Sequence, residues 1–110
     1  MRKETRELYR QAYEKWNYTQ FTLIVEECSE LIKAVCKFWR DPSGENIESL
    51  VEEIADVGIM VEQIEATLDC SARVRRIRRR KLRRLRKRIQ GKPRTFMSGI
   101  DDIDEALKEG

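Results

Sequence analysis

The chain has 110 residues, of which 39% are charged and 40% hydrophobic, with a formal net charge of +3. A charged share so far above the usual ~25% leaves little apolar material for a thick core, so a thin helical domain, or one completed by a second copy, is the economical solution. Five Gly and two Pro are too few for the turns of a β-sandwich or barrel, and the lack of any His excludes Ser-His, Cys-His and His-ligated zinc chemistry.

Four helical segments follow in order. The first is predicted over residues 3–15, with Leu8, Ala12 and Tyr13 as its apolar anchors. The second runs from Thr19 to Trp39 and stops at the breaker cluster Arg40-Asp41-Pro42-Ser43-Gly44. The third restarts near Asn46 and reaches Leu68, with Glu45 and Glu48 suited to the positive end of its dipole. The fourth spans Ser71 to Gln90 and is closed by Gly91 and Pro93, and a short amphipathic helix is predicted over 98–107. The expected architecture is all-α: a helical bundle of three core helices plus short terminal helices, in a single domain over 1–110 that oligomerisation completes.

No apolar run approaches the length of a membrane span, and Met1-Arg2-Lys3-Glu4-Thr5-Arg6-Glu7 leads into no signal-like stretch. Cys28, Cys36 and Cys70 cannot all pair with one another and show no CxxC spacing. Reduced thiols in a soluble cytoplasmic protein without a membrane partner are expected.

The charge is segregated. Residues 1–72 carry 8 basic and 15 acidic groups, residues 73–88 carry 12 basic groups and no acid, and residues 89–110 carry 3 basic and 5 acidic groups. Neighbours of this kind attract each other, attract partners, or hold an anion between them through a metal.

In the second segment Ile24, Leu31, Val35 and Phe38 are the expected buried stripe. A second seam, Trp16, Gln20, Leu23, Glu27, Glu30 and Ala34, advances by alternating steps of four and three, which puts Glu27 and Glu30 on one face a turn apart. In the third segment Asp56 is the one charge among Ile54, Ala55, Val57, Gly58, Ile59, Met60 and Val61, and it lies a turn after Glu53. A helix apolar on nearly every side is expected to be buried on several sides, with Ile59 turned toward another subunit. Carboxylates gathered in such surroundings suffer desolvation and mutual repulsion, and one divalent cation relieves both. Oxygen-only ligands suit a hard ion, Mg²⁺ or Mn²⁺. The plainer alternative is a solvated acidic face made of Glu26, Glu27, Glu30, Glu52 and Glu53.

In the fourth segment Val74, Ile77, Leu82, Leu85 and Ile89 fall within roughly 140° of helix surface. Arg78, Lys81 and Arg88 project from inside or beside that arc, and Arg84 from its edge. An inward ammonium and an inward guanidinium complement a triphosphate held on a metal. The outward Arg read as a solvated face, as a surface packed on an acidic partner subunit, or as a nucleic-acid contact. No aromatic residue lies between 70 and 95, so nucleic-acid binding there would be nonspecific.

Glu26-Glu27-Cys28-Ser29-Glu30, followed after 22 intervening residues by Glu53-Ile54-Ala55-Asp56, closely resembles the EExxE…ExxD signature of the MazG-like nucleoside triphosphate pyrophosphohydrolases, within the all-α NTP pyrophosphatase superfamily. The resemblance spans roughly residues 16–89, leaving 91–110 as a tail, and takes in Trp16, Gln20, Leu31 and Asp56-Val57-Gly58-Ile59-Met60. It implies an Mg²⁺-dependent enzyme that cleaves an NTP or dNTP between its α and β phosphates, releasing the monophosphate and pyrophosphate. Glu27, Glu30, Glu53 and Asp56 would be the metal ligands, and Glu26 matches the acidic position before them. Lys81 and Arg88 resemble basic positions of the family's third core helix.

The expectation is a homo-oligomeric hydrolase of nucleotide-pool control or house-cleaning. In it Glu26 or Glu52 accepts the proton of the attacking water, and Lys81 and Arg88, with Arg84 beside them, hold the phosphates. Trp16 stacks on the base and Gln20 hydrogen-bonds its edge, with ordinary packing as the equal alternative for Trp16. A small basic-helix regulator that binds nucleic acid without catalysis is the competing function.

Overall fold

Caps and breakers set the helix ends. In the computed structural model, which describes residues 1–91, the helices are α1 (Lys3–Trp16), α2 (Thr19–Arg40), α3 (Gly44–Leu68) and α4 (Ser71–Gln90), with no strand among the described residues. The class is all-α, as expected, and the short helix predicted over 98–107 lies outside the described residues. Helix α3 starts two residues before Asn46 because Ser43 is its N-cap: the Ser43 hydroxyl accepts the Asn46 backbone N–H at 3.2 Å. Asn46 also donates from its side chain to the Asp41 carbonyl at 2.8 Å, tying the end of α2 to the start of α3. At the far end of α3, Asp69 adopts left-handed geometry (φ 50°, ψ 49°), and the Cys70 and Asp69 N–H groups donate to Glu65 and Ala66 carbonyls. This is the Schellman pattern, with Asp where glycine is usual.

The contacts divide the chain into two compact units, Met1–Ser71 and the segment from Ala72 onward, and each is described by itself. In the first, α2 and α3 form the principal pair, and α1 packs mainly on α3. Tyr9 is the buried anchor of α1; burial first, and the Glu62 carboxylate second, push its hydroxyl pKa up. The α2–α3 register is antiparallel. Gln20 meets Gln63, and two turns onward along α2 and back along α3 bring Glu27 to Asp56.

Of the two faces expected on α2, the seam holding Gln20 and Ala34 is the more buried, which corrects the hydrophobic stripe. The most buried residues of α2 are Gln20 and Ala34, whereas Ile24, Leu31 and Phe38 are half-buried and Val35 is exposed. The seam favours small and polar residues because it lets two helices approach closely, and Val35 is turned about 100° from Ala34. On α3 only Met60 is fully buried; Val51, Ile54, Ile59 and Val61 are exposed. The burial on several sides expected for this helix is therefore not achieved within one chain. Ile59 is not on the outermost side of α3 either, since it lines a cleft with Trp16 and Gln63. In α4, Val74, Ile77, Leu82 and Leu85 form one apolar strip with Arg78 and Lys81 beside them, as the periodicity places them.

Candidate metal centre

The α2–α3 register brings three acidic side chains together from separate turns. One carboxylate oxygen from each of Glu27, Glu53 and Asp56 lies within 4.8 Å of the other two. On an octahedral Mg²⁺ trans oxygens stand about 4 Å apart and cis oxygens about 3 Å, so the three carboxylates have to draw together to share an ion. Glu53 carries the strain of the arrangement: its Oε2 is buried with no hydrogen-bond partner. Burial first, and then the charges of Asp56, Glu27, Glu30 and Glu52, hold its carboxyl pKa above the usual value. An orphaned acceptor grouped with two further carboxylates fits a hard divalent cation.

The other expected ligands are placed less uniformly. Asp56, expected as the desolvated charge, is exposed, although Met60 a turn later is buried, and its apolar sequence neighbours Ile54, Ala55 and Ile59 are exposed too. The desolvated member is Glu53, which the register turns toward α2. Glu30 is exposed, accepts from Lys33 Nζ at 3.3 Å, and stands outside the three-oxygen cluster although its charge acts on Glu53. Glu26 and Glu52 are exposed.

Beside the cluster, Glu30 and Glu53 share a groove of about 540 Å³ with Lys33, Lys37 and Arg40. These three cations recur at i, i+4 and i+7 on α2, outside the basic run of α4 to which the sequence pattern draws attention. The signal was present: their spacing puts one cationic row on α2 immediately after Glu30.

The proposed base contacts part company. Trp16 ends α1 half-exposed, with Lys15 Nζ 5.3 Å from its ring centroid, and it lines a cleft of about 380 Å³ with Tyr9, Ile59 and Gln63. Gln20, expected at a base edge, is 1% exposed: it donates to Gln63 Oε1 at 3.0 Å and accepts from the Thr67 hydroxyl at 3.5 Å. Its amide is thus spent on α3 rather than presented to a cleft. Within α4, Lys81 lies along the apolar strip, Arg84 is exposed, and Arg88 is half-buried with its Nε shielded and unpartnered. Comparison with family models, curated proteins and solved structures finds no match to this chain.

Proposed function

We propose that the chain is an Mg²⁺-dependent nucleoside triphosphate pyrophosphohydrolase, converting an NTP or dNTP and water into the monophosphate and pyrophosphate. The observation that carries this reading is the convergence of Glu27, Glu53 and Asp56 around a buried, unpartnered Glu53 oxygen, in the motif spacing that resembles the MazG-like enzymes. Glu27, Glu53 and Asp56 would hold Mg²⁺, or Mn²⁺, with Glu30 as the fourth ligand after release from Lys33. Bound there, the ion supplies Lewis-acid neutralisation of phosphate charge.

The chain's own groups do the rest. Glu26 or Glu52, each exposed and adjacent in sequence to a cluster carboxylate, accepts the proton of the water whose oxygen attacks the α phosphorus. The bond from that phosphorus to the bridging oxygen breaks, and pyrophosphate leaves. Lys33, Lys37 and Arg40 line the groove beside Glu53 and offer charge to the triphosphate. Lys81 and Arg88 are the resemblance's candidates for the β and γ phosphates, and the half-exposed Trp16 ring offers a face for the base. A bundle of core helices completed by a second copy, in a cytoplasmic setting, belongs to the same reading.

A panel of NTPs and dNTPs with Mg²⁺, scored for pyrophosphate against orthophosphate, tests the assignment. Stoichiometric monophosphate and pyrophosphate are expected. Orthophosphate alone, or no turnover across the panel, overturns it.

A further inference from the structure

The face of α4 opposite its apolar strip carries a row of cations that, Arg84 apart, the hydrolase reading does not use. Arg80, Arg83, Arg84 and Lys87 are all exposed and line one shallow basin of about 170 Å³ made only of cations. Their spacing of i, i+3, i+4 and i+7 puts them on one helical face. Arg76 and Arg79 extend that face toward the N-terminus, and no acid occurs from 73 to 88, so no neighbour within the helix offsets them. Arg76–Arg80, Arg79–Arg83, Arg80–Arg84 and Arg83–Lys87 are like-charge pairs at i,i+4, each weakly unfavourable to the helix. A polyanion lying along the face converts that repulsion into attraction.

We propose that this face of α4 binds the phosphodiester backbone of a duplex nucleic acid without reading its sequence. Ten of the twelve basic residues in 73–88 are Arg, whose planar forks suit phosphate oxygens. The 20-residue helix is about 30 Å long, and a duplex offers a phosphate charge about every 1.7 Å of its axis. A helix about 10–12 Å across also fits a B-form major groove of about 12 Å. No aromatic residue from 70 to 95 is available to stack on bases, which disfavours a single-strand ligand. The apolar strip disfavours a membrane surface: it has neither Trp nor Phe, and Arg78 and Lys81 interrupt it.

The test uses the full chain and fluorescence anisotropy with labelled duplex DNA and duplex RNA of two unrelated sequences, over a roughly fourfold range of salt. Saturable binding at low salt is expected, with affinities for the two sequences within about twofold. The DNA and RNA arms identify which backbone is preferred. Combining Arg80→Gln, Arg83→Gln and Lys87→Gln in one chain should weaken binding at least about tenfold and lower the log–log salt slope by about 2.7, at 0.9 per contact. Arg80→Lys with Arg83→Lys should keep the wild-type slope, and this pair decides the matter if the Gln variant loses helix content. No binding by wild type, an unchanged Gln variant, a reduced slope in the Lys pair, or binding to phosphatidylserine vesicles in preference to both duplexes would each overturn the proposal. NTP hydrolysis is measured on the same samples, so failure of the hydrolase reading leaves the duplex result standing.

Discussion

A carboxylate oxygen buried without a hydrogen bond is costly, and Glu53 adds to that cost the repulsion of its acidic neighbours. Glu53→Gln should therefore raise the melting temperature of the metal-free protein while abolishing any increase produced by Mg²⁺. Asp56→Ala removes the largest of the charges acting on Glu53, so it should raise the metal-free melting temperature slightly and remove metal-dependent turnover. Calorimetric scans with and without Mg²⁺, paired with pyrophosphate release, check both. The pH dependence has a definite sign. Because Glu53's carboxyl is held above its usual value, protons compete with Mg²⁺ at higher pH than at an ordinary glutamate, and the Mg²⁺-induced rise in melting temperature should shrink as pH falls through that raised value. Gln20 poses a different question at the same scale. Gln20→Ala leaves Gln63 and Thr67 without their buried partner, so it should destabilise the fold by about 1–3 kcal/mol in urea titrations. A variant of unchanged stability and altered base preference would return Gln20 to the substrate.

Helix ends were legible in the sequence to within two residues because they are governed by local chemistry: the Pro42-Ser43-Gly44 break, the Ser43 cap and the Gly91 stop act within a turn of themselves. Which of two legible faces α2 buries was harder to read. Ile24, Leu31, Val35 and Phe38 form the more hydrophobic stripe, yet the most buried residues are Gln20 and Ala34 of the second seam, which is set by how closely two helices approach. The carboxylate motif is visible as a spacing, but which of its members loses water depends on that register, so the pattern points to Asp56 where Glu53 is the desolvated one. Lys33, Lys37 and Arg40 escaped notice for a related reason: three scattered cations on a mixed helix do not stand out beside a run of twelve. Element ends also hold a correctable strain. Asp69 sits in left-handed geometry and places a negative charge at the C-terminal end of the α3 dipole. Asp69→Gly relieves both and should stabilise the protein by about 0.5–1 kcal/mol, read as a shift in the urea midpoint without a change in slope.

On the side of α3 turned away from α2, Val51, Ile54, Ala55, Gly58 and Val61 are exposed along successive turns. Gly58 has open space around it in the single chain, with nothing within 4 Å of the position its Cβ would take. A glycine in the interior of a 25-residue helix costs about 0.5–1 kcal/mol relative to alanine, a cost that close approach of another backbone would explain. A second copy packed face to face on this side would bury the apolar row and use the missing Cβ. If a second copy does so, the wild type should associate at micromolar concentration and Ile54→Asp should leave monomers, as read by light scattering. Gly58→Ala separates the two cases by sign. In a chain that stays monomeric, it should add helix stability of about 0.5–1 kcal/mol. Across a tight helix–helix contact, the added methyl should weaken association even as the isolated helix gains. A wild-type protein that is monomeric at micromolar concentration, and that Gly58→Ala merely stabilises, would show that the row is not an interface.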